Sequence, residues 1–103
     1  MTYRLGMPRG RSIDGKPIDY FAEGDWPFDP VEAAPEAVEY ARLLAMNLTR
    51  AIGDRSIREV GELAGLDHTT VAAVLKGSRW AELVTIAKLE QALETRLWPD
   101  LVE

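Results

Sequence analysis

The side chains best equipped to recognise a partner lie in one short run, His68, Thr69, Thr70, Ala72 and Ala73, interrupted only by Val71. An imidazole can donate or accept a hydrogen bond, a threonine sets a hydroxyl beside a methyl, and an alanine offers only a small apolar contact. Cations flank the run: Arg50, Arg55 and Arg58 precede it, and Lys76 and Arg79 follow it. Short polar groups bracketed by positive charge suit the reading of an extended anionic surface, because the rim attracts while the small side chains discriminate.

Bond-making chemistry is much harder to assemble. The chain has a single histidine and no cysteine, which excludes disulfides, thiolate metal sites and histidine clusters. No glycine loop has the spacing that cradles a phosphate. Glu90 and Glu94, one helical turn apart, read as a solvated face. The expectation is therefore a protein that is not an enzyme, with no metal, no cofactor and no small-molecule ligand evident from the sequence.

At 103 residues and a net charge of -5, the chain has room for one small domain whose core is marginal unless other surface adds to it. The charge is unevenly spread. Arg4, Arg9, Arg11 and Lys16 make the first stretch basic, Asp19 to Glu39 is wholly acidic, Arg42 to Arg79 is again basic, and the last segment is acidic. No apolar run approaches the roughly 20 residues that span a bilayer, and the first residues lack the apolar centre of a signal peptide, so a cytoplasmic protein is expected.

The elements needed to position the run follow from local pattern. Residues 1–34 contain four of the six prolines and no sustained helical period, and read as an irregular arm. Asp14-Gly15 suits a two-residue hairpin turn, and Tyr20, Phe21, Trp26 and Phe28 are too many aromatics for a solvated tail, so some must pack on the domain or a partner. Residues 35–103 form the domain. Pro35 suits a first helical position, and Val38, Ala41, Ala45, Leu48 and Ile52 draw an apolar stripe that Gly53 closes. Ser56, with Glu59 three residues on, makes a capping box for a second helix whose Val60 and Ala64 face inward. Gly65 turns the chain, Leu66 plugs the corner, and Asp67 caps a third helix with Val71 and Val74 inside. After Gly77, a fourth helix is marked by Leu83, Ile86, Leu89 (with Ala87) and Leu93, and Pro99 could open one last turn.

Ser56, Val60, Gly61, Gly65, Leu66, Asp67, Val71 and Gly77 together resemble the helix-turn-helix of the lambda-repressor and Cro-like (Xre) regulators, without a gap, and the likeness extends over about residues 38–98. The resemblance implies an all-α fold of four or five helices in which the second helix crosses the DNA backbone and the third lies in the major groove. Carried over position by position, it places His68, Thr69 and Ala73 where bases are read and Thr70 where base or phosphate is touched. Arg50, Arg55, Ser56, Arg58, Lys76, Ser78 and Arg79 become the expected phosphate contacts. The run lacks the bidentate Arg, Gln or Asn of the sharpest base readers, so direct readout should be modest. Ile57 stands where the family often has a phosphate-binding glutamine, and Leu63, Leu75 and Trp80 stand at positions the family tends to keep polar. These last three form an apolar patch that the aromatic arm or a second subunit should cover.

Pro8-Arg9-Gly10-Arg11 resembles the core of an AT-hook, with Ser12 in place of the usual final proline. That likeness makes Arg9 and Arg11 candidates for a minor-groove arm. The expectation as a whole is a sequence-specific regulator of transcription binding double-stranded DNA, a repressor of bacterial or phage type, paired as a homodimer near Leu97, Trp98 and Leu101. A second reading is a protein-interaction module, an antitoxin or adaptor, using the acidic segment 19–39.

Overall fold

The computed structural model describes residues 15–21, 24–30 and 34–100. A short 3-10 turn, Pro17–Tyr20, precedes four α-helices: α1 (Glu36–Ile52), α2 (Ile57–Ala64), α3 (His68–Lys76) and α4 (Leu83–Leu93). The fold is all-α, with no strand among the described residues. None of its helices is long and apolar enough to cross a membrane.

The helices converge on Leu44, Leu48, Ile52, Val60, Val71, Val74, Ile86, Leu89, Leu93 and Leu97, so each contributes its apolar stripe to one core. Helix α2 packs on α3 and α4, and α3 also packs on α1. Pro35 stands just outside α1 as its N-cap, and Gly53 ends the helix with a left-handed φ of 60°.

Two expectations about the C-terminal part need correction. Leu83 is 68% exposed and Ala87 is also exposed, whereas Thr85 is buried beside Ile86. A side chain in the first helical turn leans back past the helix N-terminus, and Leu83 therefore overshoots the core. Leu97, expected near a dimer surface, is 0% exposed and belongs to the core. The chain reverses at Glu94, which adopts a left-handed φ of 54°, and then folds inward. No helical turn is seen from Thr95 to Asp100, and Leu101 lies outside the described residues.

Two polar groups fix this return. Glu90 Oε2 accepts the backbone N–H of Leu97 at 2.8 Å and of Trp98 at 3.0 Å, while Asn47 Nδ2 donates to the Leu97 carbonyl at 2.9 Å. Glu90 is thus a clamp on the C-terminal segment, not a member of a merely solvated acidic face.

The described part of the arm is a strap against the helices. The expected hairpin is replaced after Gly15 by the 3-10 turn, in which Asp19 Oδ2 accepts the Lys16 N–H at 2.9 Å; Ser12 to Asp14 lie outside the described residues. Backbone N–H of Ile18 donates to the Gly77 carbonyl at 2.9 Å, and the Trp26 indole donates to the Leu75 carbonyl at 3.1 Å. Arg42, only 8% exposed, grips Glu39 through Nε at 3.0 Å and Nη2 at 2.6 Å, and donates from Nη1 to the Pro27 carbonyl at 2.9 Å. The i, i+3 spacing on α1 makes that fork-to-carboxylate pairing possible.

The two N–H groups pointing at Glu90, from Trp98 first and Leu97 second, hold its carboxyl below the usual range. A carboxyl depressed in the folded state contributes stability above its unfolded value, and that contribution is lost as pH falls through the folded one. Glu90→Ala should therefore cost about 1–2 kcal/mol near neutral pH. It should also narrow the difference between the two proteins as the solution becomes acidic, read by chemical denaturation across a pH series.

Candidate nucleic-acid interface

Helix α2 begins at a complete capping box. The Ser56 hydroxyl accepts the Glu59 N–H at 3.0 Å, and Glu59 Oε1 accepts the Ser56 N–H at 2.9 Å. The hydroxyl keeps its own hydrogen to donate outward. At the other end Gly65, with φ 71°, closes the helix: Leu66 N–H bonds the Gly61 carbonyl at 2.8 Å and Gly65 N–H bonds that of Glu62 at 3.4 Å.

Gly61 lies where α2 meets the start of α3. A Cβ built there would stand 2.7 Å from the Leu66 carbonyl oxygen and 3.3 Å from both N and Cα of His68. The two backbones are in contact, and the small residue beneath the crossing is required by that contact. Asp67 then caps α3, its Oδ1 accepting the Thr69 N–H at 3.2 Å. This bond is the leading reason that the Asp67 carboxyl is held below its ordinary range, with smaller help from the Thr69 hydroxyl and the charges of His68 and Arg79.

Exposure is unequal along helix α3. Val71 and Val74 are buried, Thr69 is exposed, and Thr70, Ala72 and Ala73 are half-buried. The His68 side chain is 43% exposed, with Nδ1 3.5 Å from Asp67 Oδ1. Thr70 and Arg79 border a common notch of about 170 Å³, so Arg79 stands beside the first turns of α3. The helix ends at Gly77 (φ 72°), with Ser78 N–H donating to the Ala73 carbonyl at 3.0 Å. The Ser78 hydroxyl makes a longer bond to the same oxygen, at 3.4 Å.

Arg50, Arg55, Arg58, Lys76 and Arg79 are all exposed, but their surroundings differ. Arg55 donates to the Ala51 carbonyl at 3.3 Å and shares a depression with Glu59, Glu62 and Leu63, which dilutes its charge. Arg50 lies over the Phe28 ring, 5.9 Å from its centroid. Arg42, grouped by sequence with the basic residues, is spent on Glu39 and the strap. Arg9 and Arg11 lie outside the described residues.

The departures from the family pattern resolve individually. Ile57 is half-buried against the core, so its position serves packing. The strap partly covers Leu75 and Trp80, the Trp80 indole donating to the Gly15 carbonyl at 2.8 Å. Leu63 stays 58% exposed. Sequence reasoning missed the role of Trp26, whose ring would lie 2.7 Å from a Cβ on Gly77. Its only signal was the excess of aromatics in the arm. Among the described residues no three His, Asp or Glu side chains gather as a metal site needs.

A solved structure similar to this chain is the restriction-modification controller protein C.AhdI from Aeromonas hydrophila. The two share 29% identity with a TM-score of 0.51, over 54% of this chain and 88% of the controller. The lambda-repressor/Cro-like helix-turn-helix fold is present. No family model matches the chain, and neither does any curated protein. Within the helix-turn-helix, the observed caps, left-handed Gly65 and tight crossing at Gly61 are what hold the exposed start of α3 at a fixed angle to α2.

Substituting Gly61→Val tests that constraint. The branched side chain must displace backbone, so the variant should lose about 2–3 kcal/mol or more, as overpacking does, measured by urea denaturation. A variant as stable as the parent would show that the crossing has slack.

Proposed function

We propose that this protein is a transcription regulator that binds double-stranded DNA by laying α3 in the major groove. The observation that carries the reading is the first turn of α3: His68 and Thr69 face outward from a corner braced by backbone contact at Gly61. A helix of this width fits a B-form major groove, and residues near its N-terminus reach base edges first. His68 and Thr69 read bases by hydrogen bonds, Ala73 contacts a thymine methyl, and Thr70 touches base or phosphate.

Arg58, Lys76 and Arg79, with the hydroxyls of Ser56 and Ser78, supply backbone anchors on either side of the groove, and Arg50 and Arg55 add weaker ones. The net charge of -5 does not oppose this, because attraction depends on the face presented. The similarity to a restriction-modification controller supports a regulatory role. Repression is the simplest form, since occupying an operator needs no further machinery.

Few strong base readers on one helix make a single domain a weak binder, and a homodimer across a two-fold site supplies the missing affinity. Leu97 is withdrawn from that surface, whereas Leu83 and Val84 are exposed and available. Arg9 and Arg11 reach an adjoining A·T-rich minor groove. Residues 1–34 then act as an arm, part strap and part DNA contact, on the domain formed by 35–103. The adaptor reading is weaker, because Asp19, Asp29 and Glu39 spend their carboxylates on Lys16 N–H, Asp25 N–H and Arg42.

Selection of duplexes from a random pool, followed by salt titration, tests the proposal. The selected site should be bound with a log-log salt slope of about -0.9 per neutralised phosphate, and Arg79→Ala should reduce the slope by about one contact. Replacing His68 and Thr69 by alanine should cost about 1–3 kcal/mol on the selected site and much less on random duplex. In contrast, R9A/R11A should lower affinity only where A·T pairs flank the site. A pool that yields no preferred sequence, or preferences unmoved by the α3 variant, would refute the reading.

A further inference from the structure

The N-terminal half of α1, the Trp80 loop, α4 and the segment after it enclose an open groove of about 390 Å³. Its walls are aromatic, from Tyr40, Trp80 and Trp98, its floor is aliphatic, with Leu44 and Ile86, and one carboxylate, Glu36, lies on its border. Tyr40 and Trp98 meet edge to face with ring centroids 5.9 Å apart. The Glu90 clamp on Leu97 and Trp98 fixes the far wall, so the groove is built into the fold. Apolar walls with a single acid at the edge suit an occupant carrying apolar side chains and one positive charge.

Such an occupant exists in the chain itself. Residues 2–7, Thr-Tyr-Arg-Leu-Gly-Met, alternate polar or small with apolar, which in an extended segment puts Tyr3, Leu5 and Met7 on one side. Arg4 supplies the charge, as partner for Glu36 or the aromatic faces. The route is short as well. Gly15, the first described residue, is held through its carbonyl by the indole of Trp80, which is itself a wall of the groove. Eight residue-to-residue steps lead from Met7 to that tether, enough for up to about 26 Å of extended chain.

We propose that residues 3–7 dock in the α1–α4 groove, with Tyr3, Leu5 and Met7 against its aromatic walls and Arg4 toward Glu36. Docking holds Arg9 and Arg11 in a loop between two fixed points, Met7 and Gly15. The interaction belongs to the protein alone and needs no DNA.

The absence of cysteine allows a direct test on the full chain. A nitroxide attached through Thr2→Cys should erase the indole and amide signals of Trp80 and Trp98 and the amide of Tyr40 in a ¹⁵N spectrum, while leaving Ser56 to Ala64 intact. Adding Y3S/L5S/M7S to the labelled protein should restore the lost signals, with the α2 and α3 amides unmoved as proof that the domain is folded. A mixture of spin-labelled ¹⁴N chain with unlabelled ¹⁵N chain separates the sources. Loss confined to the doubly labelled protein supports docking within one chain, whereas loss in the mixture assigns the groove to a second copy and overturns the proposal. Intact groove signals in both samples, or loss that survives the triple serine variant, would also overturn it.

Discussion

The backbone contact between α2 and α3 at Gly61 is the constraint on which the surface of this protein depends. With no room for a Cβ between Gly61 and the Leu66 carbonyl, the two helices have one available separation, and the left-handed Gly65 beside it sets the turn. The Asp67 cap then starts α3 at once, so His68 and Thr69 project from a rigid corner instead of a loop. Rigidity matters for recognition because side chains as short as these cannot correct a misplaced backbone, and ordering a loose corner would cost free energy on every encounter.

Behind the corner, the strap compensates for a small core. A chain of 103 residues buries limited apolar surface, and helix α3 is only 9 residues long. Its C-terminal end is held from outside: Trp26 packs on Gly77 and donates to Leu75, while Ile18 bonds the Gly77 carbonyl. Arg42 ties the same strap to α1 through Pro27, and its buried guanidinium is compensated by both oxygens of Glu39. Helix α3 is therefore supported at its first turn by α2 and at its last turn by the strap.

Helix order, caps and inward positions from Val38 to Val74 are legible in the sequence because they rest on local rules: periodic apolar residues, Ser56 with Glu59, Asp67, and glycines that tolerate positive φ. What local rules could not give are the long-range polar bonds. The Glu90 clamp needs a chain reversal at a non-glycine residue, Glu94, and so Leu97 looked like a surface residue when it is core. Arg42 counted as one more surface cation because charge composition does not reveal which guanidinium lies under a distant carbonyl. Leu83 fits the helical period and yet is exposed, since period describes the helix face but not where the core ends. For the candidate interface, sequence indicates which residues sit on α3, and structure adds their unequal exposure and the unequal surroundings of the cations.

The central claim, that the outer face of α3 enters a groove of DNA, is most directly tested by mapping amide shifts while the full chain is titrated with its selected duplex at low salt. The largest changes should fall at His68, Thr69, Thr70 and Ala73, with smaller ones at Ser56, Ser78 and Arg79 and none at Leu89 in the core. Changes concentrated in the acidic segment 19–39, or α3 amides that stay unmoved at saturation, would contradict it.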